Sequence, residues 1–195
     1  MSKHIYLASR SPRRAELLQQ IGVYFYVLPS DVDEAPLSGE APQDYVVRLA
    51  RMKAEVGLAR LQGSDMLMLP LLAADTTVFV DGVILGKPED DADAAAMLRR
   101  MSGRWHAVLT GIAVATPSGI FSALSSTQVE MAILSEADII AYITSTEPRG
   151  KAGAYAIQGL AGTFIRRIEG SYSGVMGLPI FETTQLLKNA GIKVL

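Results

Sequence analysis

The chain has 195 residues, 49% of them hydrophobic, enough for a substantial core, and one two-lobed domain over 1–195 is expected. A formal net charge of −2 excludes a general electrostatic pull toward nucleic acid or anionic membranes, so any polyanion site must be a local cluster of Lys and Arg. With no Cys and only His4 and His106, disulfides, thiolate metal sites and a His-rich metal centre are excluded, and a metal would need carboxylate ligands. The short apolar stretch at 5–8 is far below a signal-peptide core, and Pro70 and Asp75 break the longest hydrophobic run. A cytoplasmic protein without a membrane partner is expected.

In chain order, residues 4–9 read as a short apolar strand, and Leu17, Leu18 and Ile21 then recur at helical spacing before Gly22. A second apolar stretch, 23–28, leads into the acid-rich loop 29–34. The clearest helix is 43–60, with Tyr45, Val46, Leu49, Ala50, Met52 and Val56 on one broad face. Residues 66–80 are almost continuously apolar, as in a strand covered on both faces, although Pro70 lacks an amide donor and argues for an edge, a bulge or a late start. Asp81-Gly82 is a strong hairpin signal between 78–80 and 83–85.

An alanine-rich helix is expected over 91–101, closed by Gly103, and two strands over 106–115 and 120–134, joined by Thr116-Pro117-Ser118-Gly119. Ser135 and Asp138 form a capping pair for a helix through Ile139, Ile140 and Ile143. The glycine-rich segment 147–162 lacks a helical stripe and reads as loop and short strand. A strand at 163–168 and a final helix at 179–190, with Pro at its start and Gly191 after it, complete the chain. Hairpins beside a strand-turn-helix unit predict an α/β fold with a mixed sheet.

Ser9-Arg10-Ser11-Pro12-Arg13-Arg14 is the first candidate site. With Ser11 as the cap, Arg13 and Arg14 fall in the first helical turn, where the helix dipole disfavours each cation by roughly 0.3–1 kcal/mol. Free amides, hydroxyls and guanidinium groups at one helix start suit a phosphate. Two solvated surface arginines or a short linear motif are the competing readings; the turn lies between an apolar strand and an apolar helix and so is no disordered tail, which favours the phosphate site.

Asp75 closes the run Leu69-Pro70-Leu71-Leu72-Ala73-Ala74 and has two readings: a buried carboxylate that needs a partner, or a turn residue at a strand end. Asp31, Asp33 and Glu34 are candidate second carboxylates. Two such groups about 4 Å apart repel by roughly 4 kcal/mol at an effective dielectric of 20, so convergence would need a cation or a shared proton. Oxygen ligands and a polyphosphate point to Mg²⁺ or Mn²⁺. Lys53 shares a stripe with Val46, Leu49 and Ala50 and must snorkel or reach a cleft. Arg60, in the last turn, is a dipole-favoured cation. Lys87 in Gly86-Lys87-Pro88 and Gln158 are weak signals alone, one a loop charge, the other an amide able to read a base edge. Trp105 and His106 are expected to pack on the sheet.

Taken together these residues resemble the Maf family. Leu7-Ala8-Ser9, Ser11-Pro12-Arg13-Arg14, Val32-Asp33-Glu34, Ala74-Asp75-Thr76, Gly86-Lys87-Pro88, Glu147-Pro148, Lys151-Ala152-Gly153 and Gly177-Leu178-Pro179 occur in the family's order across nearly the whole chain. The resemblance implies a two-lobed α/β fold with an elongated mixed sheet and a central cleft, similar to inosine triphosphate pyrophosphatases. It also implies a divalent-metal-dependent house-cleaning hydrolase that cleaves a nucleoside triphosphate between its α and β phosphates. Gly153-Ala154-Tyr155-Ala156-Ile157-Gln158-Gly159 and Gly170-Ser171-Tyr172 look like the branch acting on dTTP and UTP rather than on 7-methyl-GTP.

By the same resemblance Asp75 matches the general base, and Arg13, Thr76 and Gln158 match positions tied to substrate choice. Ser9, Arg14, Glu34, Lys53 and Lys87 match phosphate or metal positions, with Glu34 and Asp75 as the metal pair. Thr77 departs from the aliphatic residue expected there, and Arg10 adds a third cation to the turn. A purine or 7-methyl-GTP pyrophosphatase, a nucleotide-sensing regulator of cell division and an RNA-binding module are the competing readings. The last lacks an extended basic surface with stacking aromatics. Oligomeric state is left open, a homodimer being one option.

Overall fold

The structure, a computed structural model, describes residues 4–194. Strand β1 (His4–Leu7) runs into helix α1 (Pro12–Gln20) and returns through β2 (Tyr24–Val27), which pairs parallel to β1. Helix α2 (Pro42–Gln62) precedes β3 (Leu71–Val80), which starts late because Pro70 can only accept; its carbonyl takes the amide of Tyr6. The Asp81-Gly82 turn joins β3 to antiparallel β4 (Val83–Leu85), as its sequence predicts. Helix α3 (Asp91–Met101), strands β5 (Trp105–Thr116) and β6 (Gly119–Met131) and helix α4 (Glu136–Thr144) follow. The Ser135–Asp138 capping box forms in full, hydroxyl to Asp138 amide and carboxylate to Ser135 amide.

Strand β7 (Ile165–Glu169) pairs antiparallel with β6 across a bulge at Glu130/Met131, and α5 (Tyr172–Met176) and α6 (Ile180–Asn189) end the chain. The seven-stranded sheet is mixed, in the order β2-β1-β3-β5-β6-β7 with β4 on β3.

One expectation needs correction and two segments gain detail. Segment 147–162 contains no strand; it is built of turns and a 3-10 turn at Ala152–Ala154, and a second 3-10 turn, Leu160–Phe164, delays β7 to Ile165. Tyr172–Met176 is helical although its five residues are too few to show a period, and Ser171 Oγ accepts the amide of Gly174 at its start. Within the apolar stretch 23–28, β2 is an edge strand: Tyr24, Tyr26 and Val27 are exposed, His4 stacks on Tyr24 and Tyr26, and the flanking Val23 and Leu28 are buried.

Two compact units divide the chain. The first comprises residues up to Asp75, Thr110–Ser125 and the chain from Gly177 on. Its core includes Tyr6, Ala50, Ala54, Leu61, Leu71, Ala73 and Ala113. The second comprises Thr76–Leu109 and Ser126–Met176, packed around Val78, Leu98, Met101, Val129, Met131 and Tyr155. There His106 is buried, with Nε2 2.8 Å from the Tyr155 hydroxyl, and burial lowers its pKa to about 4, so it is neutral at pH 7. Trp105, expected to pack with it, is instead substantially exposed and faces the Arg167 guanidinium. No helix among the described residues is long and apolar enough to cross a membrane.

Candidate functional site

Helix α2 buries Val46, Leu49, Ala50, Lys53, Ala54, Gly57 and Leu61, a stripe at helical spacing, while Met52 is only half-buried and Val56 is exposed. Two glycines let this helix lie close on the sheet. A Cβ at Gly111 would come within 2.3 Å of the Val46 carbonyl, and one at Gly57 within 2.4 Å of Leu71 Cδ1. The close approach carries Lys53, one turn before Gly57, down against β3. There Lys53 Nζ donates to Asp75 Oδ1 at 2.6 Å and to Glu34 Oε1 at 2.6 Å. The cation that the paired carboxylates require is thus the chain's own ammonium, and Lys53 does not snorkel to solvent.

Asp75 lies in the middle of β3, fully within the strand and 8% exposed, which rules out the strand-end turn reading. Burial raises its pKa above the ordinary carboxylate value, Lys53 and Arg14 pull the other way, and Glu34 adds to the rise. A carboxylate so placed is a better proton acceptor than a solvated one.

Ser9 follows β1, and its hydroxyl accepts the Ser11 amide and Arg14 Nη1, each at 3.1 Å. Ser11 occupies the cap position of α1 but makes no side-chain capping bond, so Ser9, not Ser11, supplies the hydroxyl at this helix start. Arg14 Nε donates to the Gly177 carbonyl at 2.8 Å. Burial lowers the Arg14 pKa, Asp75 and Glu34 oppose that, and Arg13 on the same turn adds to it. Arg10 is turned to a different partner, pairing with Asp31 through two bonds of 2.7 and 3.0 Å on the exposed surface. That pair engages the third cation of the turn with one acid of the loop on the surface.

Tyr45 and Arg48 hold the backbone at Glu34 and Ala35, with almost no warning in the sequence. The Tyr45 hydroxyl donates to the Glu34 carbonyl at 2.9 Å, and Arg48 donates to the Ala35 carbonyl at 3.1 Å. Arg48 also pairs with Glu40 through bonds of 2.5 and 2.7 Å. Burial, with the charges of Asp75 and Glu34, raises the Tyr45 pKa to about 12, so it stays a donor at neutral pH. Arg48 holds the Glu40 carboxyl down at about 2. The only available signal was Tyr45 standing two turns before Lys53 on the same helix.

Ser9, Arg13, Arg14, Glu34, Lys53 and Asp75 all belong to the first unit. Thr76, Lys87 and Gln158 belong to the second. Thr76 is the next residue of β3 and half-buried. Lys87 is exposed after β4, beside Gly86, whose carbonyl accepts the Gly153 amide. Gln158 is exposed in a turn closed by the Gly159 amide on the Ala156 carbonyl.

An α/β protein with cations at a helix start and a buried ammonium between two carboxylates has the makings of an anion-handling enzyme. The family model described as Maf-like protein matches residues 4–190. The chain belongs to the Maf family. A protein of Methylobacillus flagellatus named dTTP/UTP pyrophosphatase is 64% identical over 190 residues, covering 97% of this chain and 94% of its own. Proteins of the same name from Ralstonia nicotianae and Bordetella pertussis are each 54% identical, over 97% of this chain and 95% and 94% of theirs. Among solved structures, the Staphylococcus aureus Ham1 protein has a TM-score of 0.47 and 16% identity, over 66% of this chain and 72% of that one.

Proposed function

We propose that this chain is a nucleoside triphosphate pyrophosphatase that hydrolyses dTTP and UTP to the monophosphate and pyrophosphate. The observation that carries the chemistry is Lys53 bridging Asp75 and Glu34. The choice of substrate is supported by full-length relatives that bear the name dTTP/UTP pyrophosphatase.

In this reading a water oxygen attacks the α phosphorus, and its proton goes to Asp75, whose pKa is already raised by burial. The bond from the α phosphorus to the oxygen shared with the β phosphorus breaks, and that oxygen leaves with pyrophosphate. Lys53 keeps Asp75 oriented and offsets charge on the leaving group together with Arg13, Arg14 and Lys87. Ser9 fixes Arg14 and adds a hydroxyl to the phosphate turn. Thr76 and Gln158 serve substrate choice, Gln158 through hydrogen bonds from its amide to the base edge.

A divalent cation fits this donor set. The available side chains are hard oxygen ligands, and Mg²⁺ or Mn²⁺ commonly takes one or two carboxylates and completes its shell with water and substrate phosphates. Among the described residues no three acidic, imidazole or thiolate side chains gather into a metal cage. Asp75 and Glu34 would hold the ion. When bound it would neutralise phosphate charge and polarise the phosphorus-oxygen bonds.

A panel of common and modified triphosphates, assayed with Mg²⁺, Mn²⁺ or chelator, tests the proposal. Equimolar monophosphate and pyrophosphate from dTTP and UTP, abolished by chelator, is the expected result. Orthophosphate as the first product, or a preference for purine or 7-methyl-guanine nucleotides, would overturn it.

A further inference from the structure

Segment 147–162, in which the sequence shows no helical stripe, is held by one carboxylate. Glu147 Oε1 accepts the Tyr142 hydroxyl at 2.8 Å and the Ala161 amide at 3.2 Å, and Oε2 accepts the Leu160 amide at 3.0 Å. The same Tyr142 oxygen accepts the Ala156 amide at 3.3 Å. One phenol and one carboxylate therefore grip the backbone on both sides of Gln158, two residues before it and two and three after it.

The surroundings are shaped for this contact. A Cβ at Gly159 would lie 2.2 Å from Glu147 Oε2, so the carboxylate reaches the two amides only because residue 159 has no side chain. Thr146, immediately before Glu147, sits at φ 62, a conformation unfavourable for a β-branched residue and kept only where surrounding bonds over-determine it. Those bonds are present. The Glu147 amide donates to Ser145 Oγ, and Lys151 Nζ donates to the Glu147 carbonyl at 2.5 Å. Burial pushes the Glu147 pKa up, but the Leu160 amide, the Tyr142 hydroxyl and the Ala161 amide outweigh it, and the group is ionised at neutral pH.

We propose that Glu147 is a positioning residue for base selection: with Tyr142 it fixes the turn 156–161, and thereby Gln158, while touching no substrate itself. The inference rests on Gln158 reading the base. A displaced amide loses hydrogen bonds to a base edge whose geometry admits little error, so selectivity falls while the phosphate chemistry of the first unit is spared.

The test compares full-length wild type with Glu147→Gln, Gly159→Ala and Gln158→Ala, measuring kcat and KM for UTP, dTTP, GTP and ATP. Glu147→Gln replaces one accepting oxygen by an NH₂ group, set either against the Leu160 amide or against the Ala161 amide and the Tyr142 hydroxyl, and Gly159→Ala drives the carboxylate off with Glu147 intact. Both are expected to raise KM for UTP and dTTP and to reduce the pyrimidine-to-purine ratio of kcat/KM by on the order of tenfold, with the loss in KM and not in kcat. Amide exchange at Leu160 and Ala161 should quicken in both. Because the two residues act through one turn, Glu147→Gln should add no further loss of ratio on top of Gln158→Ala. If Gln158→Ala lowers the ratio while Glu147→Gln and Gly159→Ala leave it unchanged, the positioning role is overturned and base reading by Gln158 stands. An unchanged ratio in Gln158→Ala sinks the base reading and this role with it. Should Glu147→Gln fail to fold, Tyr142→Phe, which removes one donor to the carboxylate and one acceptor for Ala156 but keeps the ring, supplies the same comparison.

Discussion

Asp75 is held in an environment that favours its protonated form. Its pKa in the folded chain is raised, chiefly by burial, so its contribution to stability is fully present below the unfolded value and is lost as pH rises through the folded value. Once ionised, the carboxylate is therefore a net cost to folding that function retains. Asp75→Asn removes that charge while leaving Lys53 its bond to Glu34. The expected outcome is loss of pyrophosphate release from UTP, with a melting temperature at pH 7 no lower than wild type and a difference that shrinks as pH falls toward 4. Thermal melts at several pH values beside a turnover assay check both halves; retained turnover would remove Asp75 from the chemistry. Lys53 was legible in sequence as a cation on an apolar stripe, and Glu34 as one of several acids in a loop. That Glu34 and Asp75 meet on Lys53 was not legible, because their separations along the chain follow no local period.

Helix α2 reaches the sheet at two close contacts of different kind, and they should fail differently. At Gly111 an added Cβ would meet the backbone of Val46, which cannot move without shifting the helix; at Gly57 it would meet the end of the Leu71 side chain, which can rotate. Gly111→Ala is expected to destabilise by about 3 kcal/mol and Gly57→Ala by about 1 kcal/mol. Urea unfolding measures both, and equal effects would show that helix placement does not depend on the Gly111 contact. Since Lys53 rides on α2, Gly111→Ala should also reduce turnover. Regular elements were readable where a local rule operates: the Asp81-Gly82 hairpin, the Ser135 capping box, the late start after Pro70. Segment 147–162 was unreadable because its order comes from Tyr142 and Glu147 bonding to backbone up to 14 residues away. The exposure of edge strand β2 was not readable either, since Tyr24, Tyr26 and Val27 have strand propensity whether or not anything covers them.

The molecule carries a net charge of −2, so affinity for a triphosphate has to come from grouped cations and not from the overall field. A ligand that binds only the folded chain stabilises it by about 2.7 kcal/mol at a hundred times its Kd. For a chain of this size that corresponds to a rise of roughly 5–10 °C in Tm. The α,β-imido analogue of UTP with Mg²⁺ is expected to give such a rise in a thermal-shift assay, and the ATP analogue at the same concentration a smaller one. Equal shifts would contradict pyrimidine preference. Composition, periodicity and turn chemistry by themselves determined the α/β class, the mixed sheet and most element positions, since these depend on neighbours three or four residues apart. The ordered motifs determined the family and nominated the site. Tertiary structure alone decided that Lys53 is the cation between Glu34 and Asp75, that Ser9 and not Ser11 serves the first helix start, that Arg10 is claimed by Asp31, and that Glu147 orders the Gln158 turn. Each of those is a meeting of groups far apart in the chain, set by packing geometry and by the need of buried polar atoms for partners, and neither acts through local spacing.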